Sequence, residues 1–228
     1  MKFSNILNGF VLLLAIALSG CASSTFKVMP EYRNQMPGSK ASLAVVLNTD
    51  GVEVDNESSI REDWGEGDPR LVFADLVDNH FPMEMKKYAV FATVEMVTPL
   101  LSDSADWINL PLKDRVLRLK LPREESRFRF AGEGSYSHVL MIHKIRTFEF
   151  YGKTTGTGGE NTARRYLKFD FEYLLWDNVD GKIIAYGYAE AEDPVFFRMS
   201  RDTWLNALGD MGQKTLRGTL YGRRKNVY

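Results

Sequence analysis

Apolar and polar positions alternate most cleanly in the last third of the chain. Over Tyr166–Trp176, Leu167, Phe169, Phe171, Tyr173 and Leu175 share one parity, and Lys168, Asp170 and Glu172 the other. Successive strand side chains point to opposite faces, so this segment predicts a strand buried on one side and wet on the other. Asp177-Asn-Val-Asp-Gly181 is a turn, and Lys182–Glu192 predicts the returning strand of a hairpin. Its alternation sets Ile184, Tyr186 and Tyr188 on one face against Ile183, Ala185, Gly187 and Ala189 on the other. His138–Phe150 predicts a further long strand. Ser42–Leu47, a short apolar run bounded by turn residues, predicts a buried one. Tyr88–Val97, rich in β-branched and aromatic residues, predicts another.

Helical spacing appears twice. Asp68-Pro69 supplies an N-cap oxygen and a proline whose missing N–H costs nothing at the first helical position. Leu71, Val72, Leu76 and Phe81 then fall near one face, and Pro82 is expected to end or kink the helix. Ser200 caps a second helix with Trp204, Leu205, Leu208, Met211, Thr215 and Leu216 at helical intervals. Between Asp50 and Asp68 the chain reads as an acidic loop. Thr98–Pro111 reads as a loop and Val116–Leu121 as a strand or short helix; Phe128 and Phe130 read as an edge segment delivering two aromatics to the core. Together these elements predict an α+β domain, a largely antiparallel sheet of about five strands with two main helices on one face.

The amino-terminal pattern is different. Lys2 precedes an apolar run from Phe10 to Leu18, and Leu18-Ser19-Gly20-Cys21 follows, ending in the only cysteine. The run is about a dozen residues, whereas a membrane-spanning helix needs about 20. Leu18–Cys21 resembles the lipobox of bacterial lipoproteins. The resemblance implies cleavage before Cys21, acylation of Cys21 (palmitate among the chains), and anchoring to a membrane. Residues 1–20 are then a signal peptide, 21–40 a lipidated N-terminus and tether, and 41–228 a single periplasmic globular domain. Ala22, rather than Asp, after the cysteine implies the outer membrane of a Gram-negative source, periplasmic face, and otherwise the extracytoplasmic side of the cell membrane.

The order strand, helix, strand, further antiparallel strands with a hairpin, and final helix, together with Tyr173-Leu-Leu-Trp-Asp-Asn-Val-Asp-Gly-Lys-Ile-Ile184, resembles a group of envelope domains. The group comprises the curli-secretion and Pel-secretion lipoproteins, the lipoprotein activator of a penicillin-binding protein, and the amino-terminal domain of TolB. The resemblance implies a non-enzymatic domain that works by protein contact in envelope assembly or export. The unassigned stretch Thr98–Gly134 departs from the pattern. So does the short polar loop Gly152–Gly159, which lacks the alternating apolar segments of a membrane barrel.

Composition narrows the partners. With 44% hydrophobic residues and a formal charge of −1, the chain can build a packed core and offers no basic face for nucleic acid. A single cysteine precludes an internal disulfide. His138 and His143 sit five apart on a predicted strand, facing opposite sides, so no metal is expected. No cofactor is expected either. Gly152–Glu160 lacks the strand-to-helix context of a phosphate loop. Glu124-Glu125 and the pair Glu190 and Glu192 are read as solvated acids; the alternative function is a polysaccharide- or cell-wall-acting hydrolase using such a carboxylate pair, and a further one is a binder of small hydrophobic ligands. If Ile184, Tyr186 and Tyr188 lie on the wet face, they form an exposed patch of the kind that marks a partner site, for envelope proteins or self-association.

Overall fold

The computed structural model describes residues 24–100, 105–123, 127–131, 135–155 and 161–223. Eleven strands and three α-helices follow one another in these residues. They are β1 (Thr25–Val28), β2 (Ser42–Leu47), β3 (Val52–Val54), α1 (Glu57–Trp64), α2 (Pro69–Lys86), β4 (Thr93–Met96), β5 (Pro99–Leu100), β6 (Ala105–Pro111), β7 (Val116–Pro122), β8 (Arg129–Phe130), β9 (His138–Thr155), β10 (Asn161–Asp177), β11 (Lys182–Val195) and α3 (Arg201–Thr215). The α+β class holds. The main sheet has seven strands in the order β1-β11-β10-β9-β2-β4, with β3 also on β9. Its β1, β11, β10 and β9 half is antiparallel, while β2 and β3 run parallel to β9 and β4 runs parallel to β2.

Each face of the sheet carries its own core. On one face Leu167, Phe169, Phe171, Tyr173 and Leu175 pack with Phe73, Phe81 and Met85 of α2 and with Trp204, Leu208 and Met211 of α3. On the other, Leu117, Leu119 and Leu121 of β7 pack with Val139, Met141, Leu174, Trp176 and Tyr186, joined by Phe128 and Phe130. Ala105–Pro111, expected as part of a loop, is instead strand β6, and Val116–Leu121 takes the strand form of its expected strand or short helix, the two forming a hairpin paired from Ala105↔Pro122 to Pro111↔Val116. Strict alternation in Val116–Pro122 places its three leucines inward and its basic residues outward. Phe128 and Phe130 reach the core as expected. Asn178 fastens this layer, accepting from Phe128 N at 2.7 Å and donating to Tyr136 O at 3.0 Å.

Asp68 Oδ1 accepts from Arg70 N, and Ser200 Oγ accepts from Thr203 N, so both predicted caps form. Pro82 neither ends α2 nor stops it short of Lys86. A mid-helix proline costs roughly 3 kcal/mol. Phe81 and Met85 on either side are fully buried, each contributing about 1.5–3 kcal/mol, which outweighs it. Gly212 lets α3 meet α2: a Cβ there would lie 3.0 Å from the Met85 Cα.

Other expectations change. The tether expected over 21–40 contains β1, whose Thr25–Val28 pair with Tyr188–Ala185, and Tyr32, buried with its hydroxyl on Asp177. Gly187 makes room for β1, since a Cβ there would stand 2.8 Å from the Phe26 Cβ. The acidic loop after Asp50 holds β3 and α1, whose Asp63 accepts from Trp204 Nε1 at 2.8 Å. Only Thr93–Met96 of Tyr88–Val97 is strand, because the backbone at Tyr88–Val90 pairs with Tyr221–Arg223 instead. β9 continues through Gly152 to Thr155, where a loop was expected.

Candidate functional site

The β6–β7 layer covers only part of its face of the sheet. Beyond it, the long strands β9, β10 and β11 continue with their side chains open: Lys144, Arg146 and Phe150 of β9 are exposed, and Lys168, Asp170, Glu172, Tyr188 and Glu190 are half-buried. Cross-strand pairing sets these in rows, with Lys144, Glu172 and Tyr188 in one, Arg146, Asp170 and Glu190 in the next, then Phe148, Lys168 and Glu192, and last Phe150, Tyr166 and Pro194.

Tyr188 stands where the covered and open parts meet. The Arg115 guanidinium, carried from the tip of the β6–β7 hairpin, lies over its ring 3.5 Å from the centroid. Burial pushes the Tyr188 phenol well above its ordinary range, and the Asp170 and Glu190 charges add to the shift. Burial likewise raises Asp170; its hydrogen bond from Tyr188 opposes the shift and Glu190 reinforces it. Lys168 Nζ donates to Glu190 at 2.7 Å and lies 3.7 Å from Glu192. Burial opposes the Lys168 charge, but the Glu190 hydrogen bond and the charges of Glu190, Glu192 and Asp170 raise its pKa on balance. The arrangement is a hydrogen-bonded polar floor that keeps an acid, a phenol and a cation in fixed register.

Ile184, Tyr186 and Tyr188 do not form one exposed patch in this chain. Leu175 faces Ala185 and Trp176 faces Ile183, so Ile184 is an extra, bulged residue and turns into the helix-side core. Tyr186 keeps the expected parity but is buried under the hairpin, its hydroxyl donating to the Pro111 carbonyl at 3.0 Å. Tyr188 alone is half-exposed. Ala185, Ala189 and Ala191 form the small-residue face under α3. Cys21, Glu124, Glu125 and loop residues 156–160 lie outside the described residues. His138 is buried between Phe91 and Tyr221 and hydrogen-bonds Ser137; among the described residues, no group of three or more His, Cys, Asp or Glu converges to hold a metal. Sequence reasoning missed Arg115, since its role appears only once the hairpin is recognised. The leucine alternation in Val116–Leu121 was the available signal.

No known protein-family pattern matches the chain, and no curated protein matches it. Among solved structures, a variant PelC dodecamer from Paraburkholderia phytofirmans overlaps 83% of this chain and 97% of its own at 10% identity and a TM-score of 0.37. A second PelC dodecamer from the same organism overlaps 88% of this chain and 99% of its own at 13% identity and a TM-score of 0.35. At these TM-scores and identities the likeness carries no argument.

Proposed function

We propose that the chain is a lipid-anchored envelope protein whose domain acts by protein contact in envelope assembly or export, without catalysis. The carrying observation is the lipobox-like Leu18-Ser19-Gly20-Cys21 set directly ahead of β1, so that an acyl anchor on Cys21 joins the domain through only a few residues. Two or more acyl chains make such attachment stable. The open sheet face supports the second half of the reading. It is broad and polar, it has half-buried Tyr188 at its margin, and tyrosines in such settings dominate many interfaces. Feeding cells labelled palmitate tests the anchor: the label enters the wild-type chain and is lost in Cys21→Ser. Label retained by Cys21→Ser, or a wild-type chain recovered with soluble periplasm, refutes it. Replacing Tyr188 with Ala tests the contact, with envelope proteins expected to be lost from the purified complex at an unchanged melting temperature.

One observation favours the alternative of a polysaccharide hydrolase. Asp170 and Glu190 are cross-strand partners, the first held protonated to higher pH by burial and the second beside Lys168. Two neighbouring carboxyls, one of them held protonated to higher pH and the other hydrogen-bonded to a cation, form the kind of pair from which a general acid and base are drawn. Hydrolysis of cell-wall polysaccharide by the wild type, abolished in Asp170→Asn, would select that reading over the adaptor.

A further inference from the structure

The strand directions bring the lipid-bearing end of the chain and a cluster of exposed aromatic side chains to the same end of the sheet. β1 runs antiparallel to β11, with Val28 opposite Ala185 and Thr25 opposite Tyr188, and Ser24 Oγ accepts from Glu190 N. Going backwards along β1 therefore leads toward Val195, away from the turn at 178–181. Three residue steps separate Ser24 from Cys21, a reach of at most about 11 Å. At that end the Tyr151, Arg165 and Val195 row is the last that three strands share, beside the Phe150, Tyr166 and Pro194 row, and β9 and β10 run on together to Thr155↔Asn161. Phe150, Tyr151, Phe196 and Phe197 are all exposed there, Phe197 completely. The Arg164 guanidinium lies 4.2 Å from the Phe196 ring centroid, and Arg198 next to Phe197 is exposed.

We infer that this end of the domain, Phe150, Tyr151, Phe196 and Phe197 with Arg164 and Arg198, rests in the headgroup layer of the membrane that holds the anchor. The inference depends on the lipid-anchor reading and adds to it an orientation. Aromatic rings favour the boundary between hydrocarbon and water, and arginines beside them meet lipid phosphates. An acyl chain fixed within about 11 Å of Ser24 keeps this end, and not the opposite one at Val179, within reach of the bilayer. Standing on that end, the domain turns its open sheet face, with Tyr188 and Lys168, sideways along the membrane, where a neighbouring envelope protein can reach it.

The test uses the acylated full chain in vesicles of phosphatidylethanolamine and phosphatidylglycerol, with and without brominated acyl chains. Phe197→Trp reports from the proposed contact and Val179→Trp from the far end. The fluorescence added over the native tryptophans is read as a difference between variant and wild type. The inference expects bromolipid to quench the tryptophan at 197 at least about twofold more strongly than that at 179. Equal or absent quenching with the chain still in the vesicle fraction overturns the orientation and leaves the anchor standing. Absence of quenching at 197 with a concentration-dependent blue shift assigns the aromatics to a second copy of the chain and likewise overturns it. A wild-type chain left in the aqueous fraction overturns anchor and orientation together. Phe196→Ser with Phe197→Ser gives an independent reading: in the Cys21→Ser background, residual flotation with these vesicles is expected to fall at least about threefold, and no fall counts against the contact.

Discussion

The Tyr186 hydroxyl donates to the Pro111 carbonyl at 3.0 Å, joining the centre of the sheet to the end of β6. The contact shows why Tyr186, on the face of the sheet opposite the helices, is buried: a second layer lies over that face. Tyr186→Phe is expected to lose about 1 kcal/mol, the net worth of one hydrogen bond, while Tyr186→Ala loses about 3–5 kcal/mol through the cavity left beside Leu117 and Leu174. Chemical denaturation of both variants checks the ratio, and equal small losses would mean that the hairpin does not depend on this ring.

Asn178 gives a second measure of that layer. Its side chain accepts from Phe128 N and donates to the carbonyls of Phe128 and Tyr136, so Asn178→Ala strands buried backbone groups. A loss of about 2–3 kcal/mol is expected in urea unfolding, and near-wild-type stability would refute the role given to it.

Gly212 tests the helix layer. Alanine normally improves a helix by up to about 1 kcal/mol. A Cβ at 212, however, would press on the Met85 backbone, which cannot yield as a flexible side-chain end would. Gly212→Ala is therefore expected to lower the melting temperature, with a net cost of about 1–3 kcal/mol. Gly38→Ala, where no atom lies within 4 Å of the new Cβ, serves as the neutral control.

Two histidines, His138 buried and His143 half-buried, set an acid limit. Burial lowers both His138 and His143 from 6.5, with nearby carboxylates opposing the shift. Between the lowered values and 6.5 the unfolded chain binds more protons, so stability rises with pH there and is lost as pH falls below 6.5. The slope is at most about 1.4 kcal/mol per pH unit for each group. Asp170 has the opposite sign, because its raised value makes the ionised form a cost to the fold at neutral pH. Unfolding measured from pH 7 to 5 should steepen less in His138→Phe than in wild type. At pH 7, Asp170→Asn should be neutral or stabilising by up to about 1 kcal/mol. A destabilised Asp170→Asn would show that the carboxylate is needed as an ion.

Where one rule acted alone, the sequence was legible. Asp68 and Ser200 cap the helices they announce, and the parity of Leu167–Leu175 matches its buried face. Legibility failed where tertiary context overrode a local rule. Pro82 is carried by the burial of Phe81 and Met85, and Ile184 changes face at a bulge that no alternation pattern reveals. Thr25–Val28 is too short to read as a strand before its place beside Gly187 is known. At the candidate site, Tyr188 was visible from its parity, whereas Arg115 reaches it from a hairpin more than 70 residues earlier in the chain.

The central claim is that an anchor on Cys21 holds this domain to a membrane, and intact mass spectrometry of the chain extracted from cells tests it most directly. The account predicts a mature chain beginning at Cys21, heavier than its residues by the mass of its acyl chains, and in Cys21→Ser the absence of that added mass. A wild-type chain that retains residues 1–20, or one beginning at Cys21 with no added mass, would contradict it.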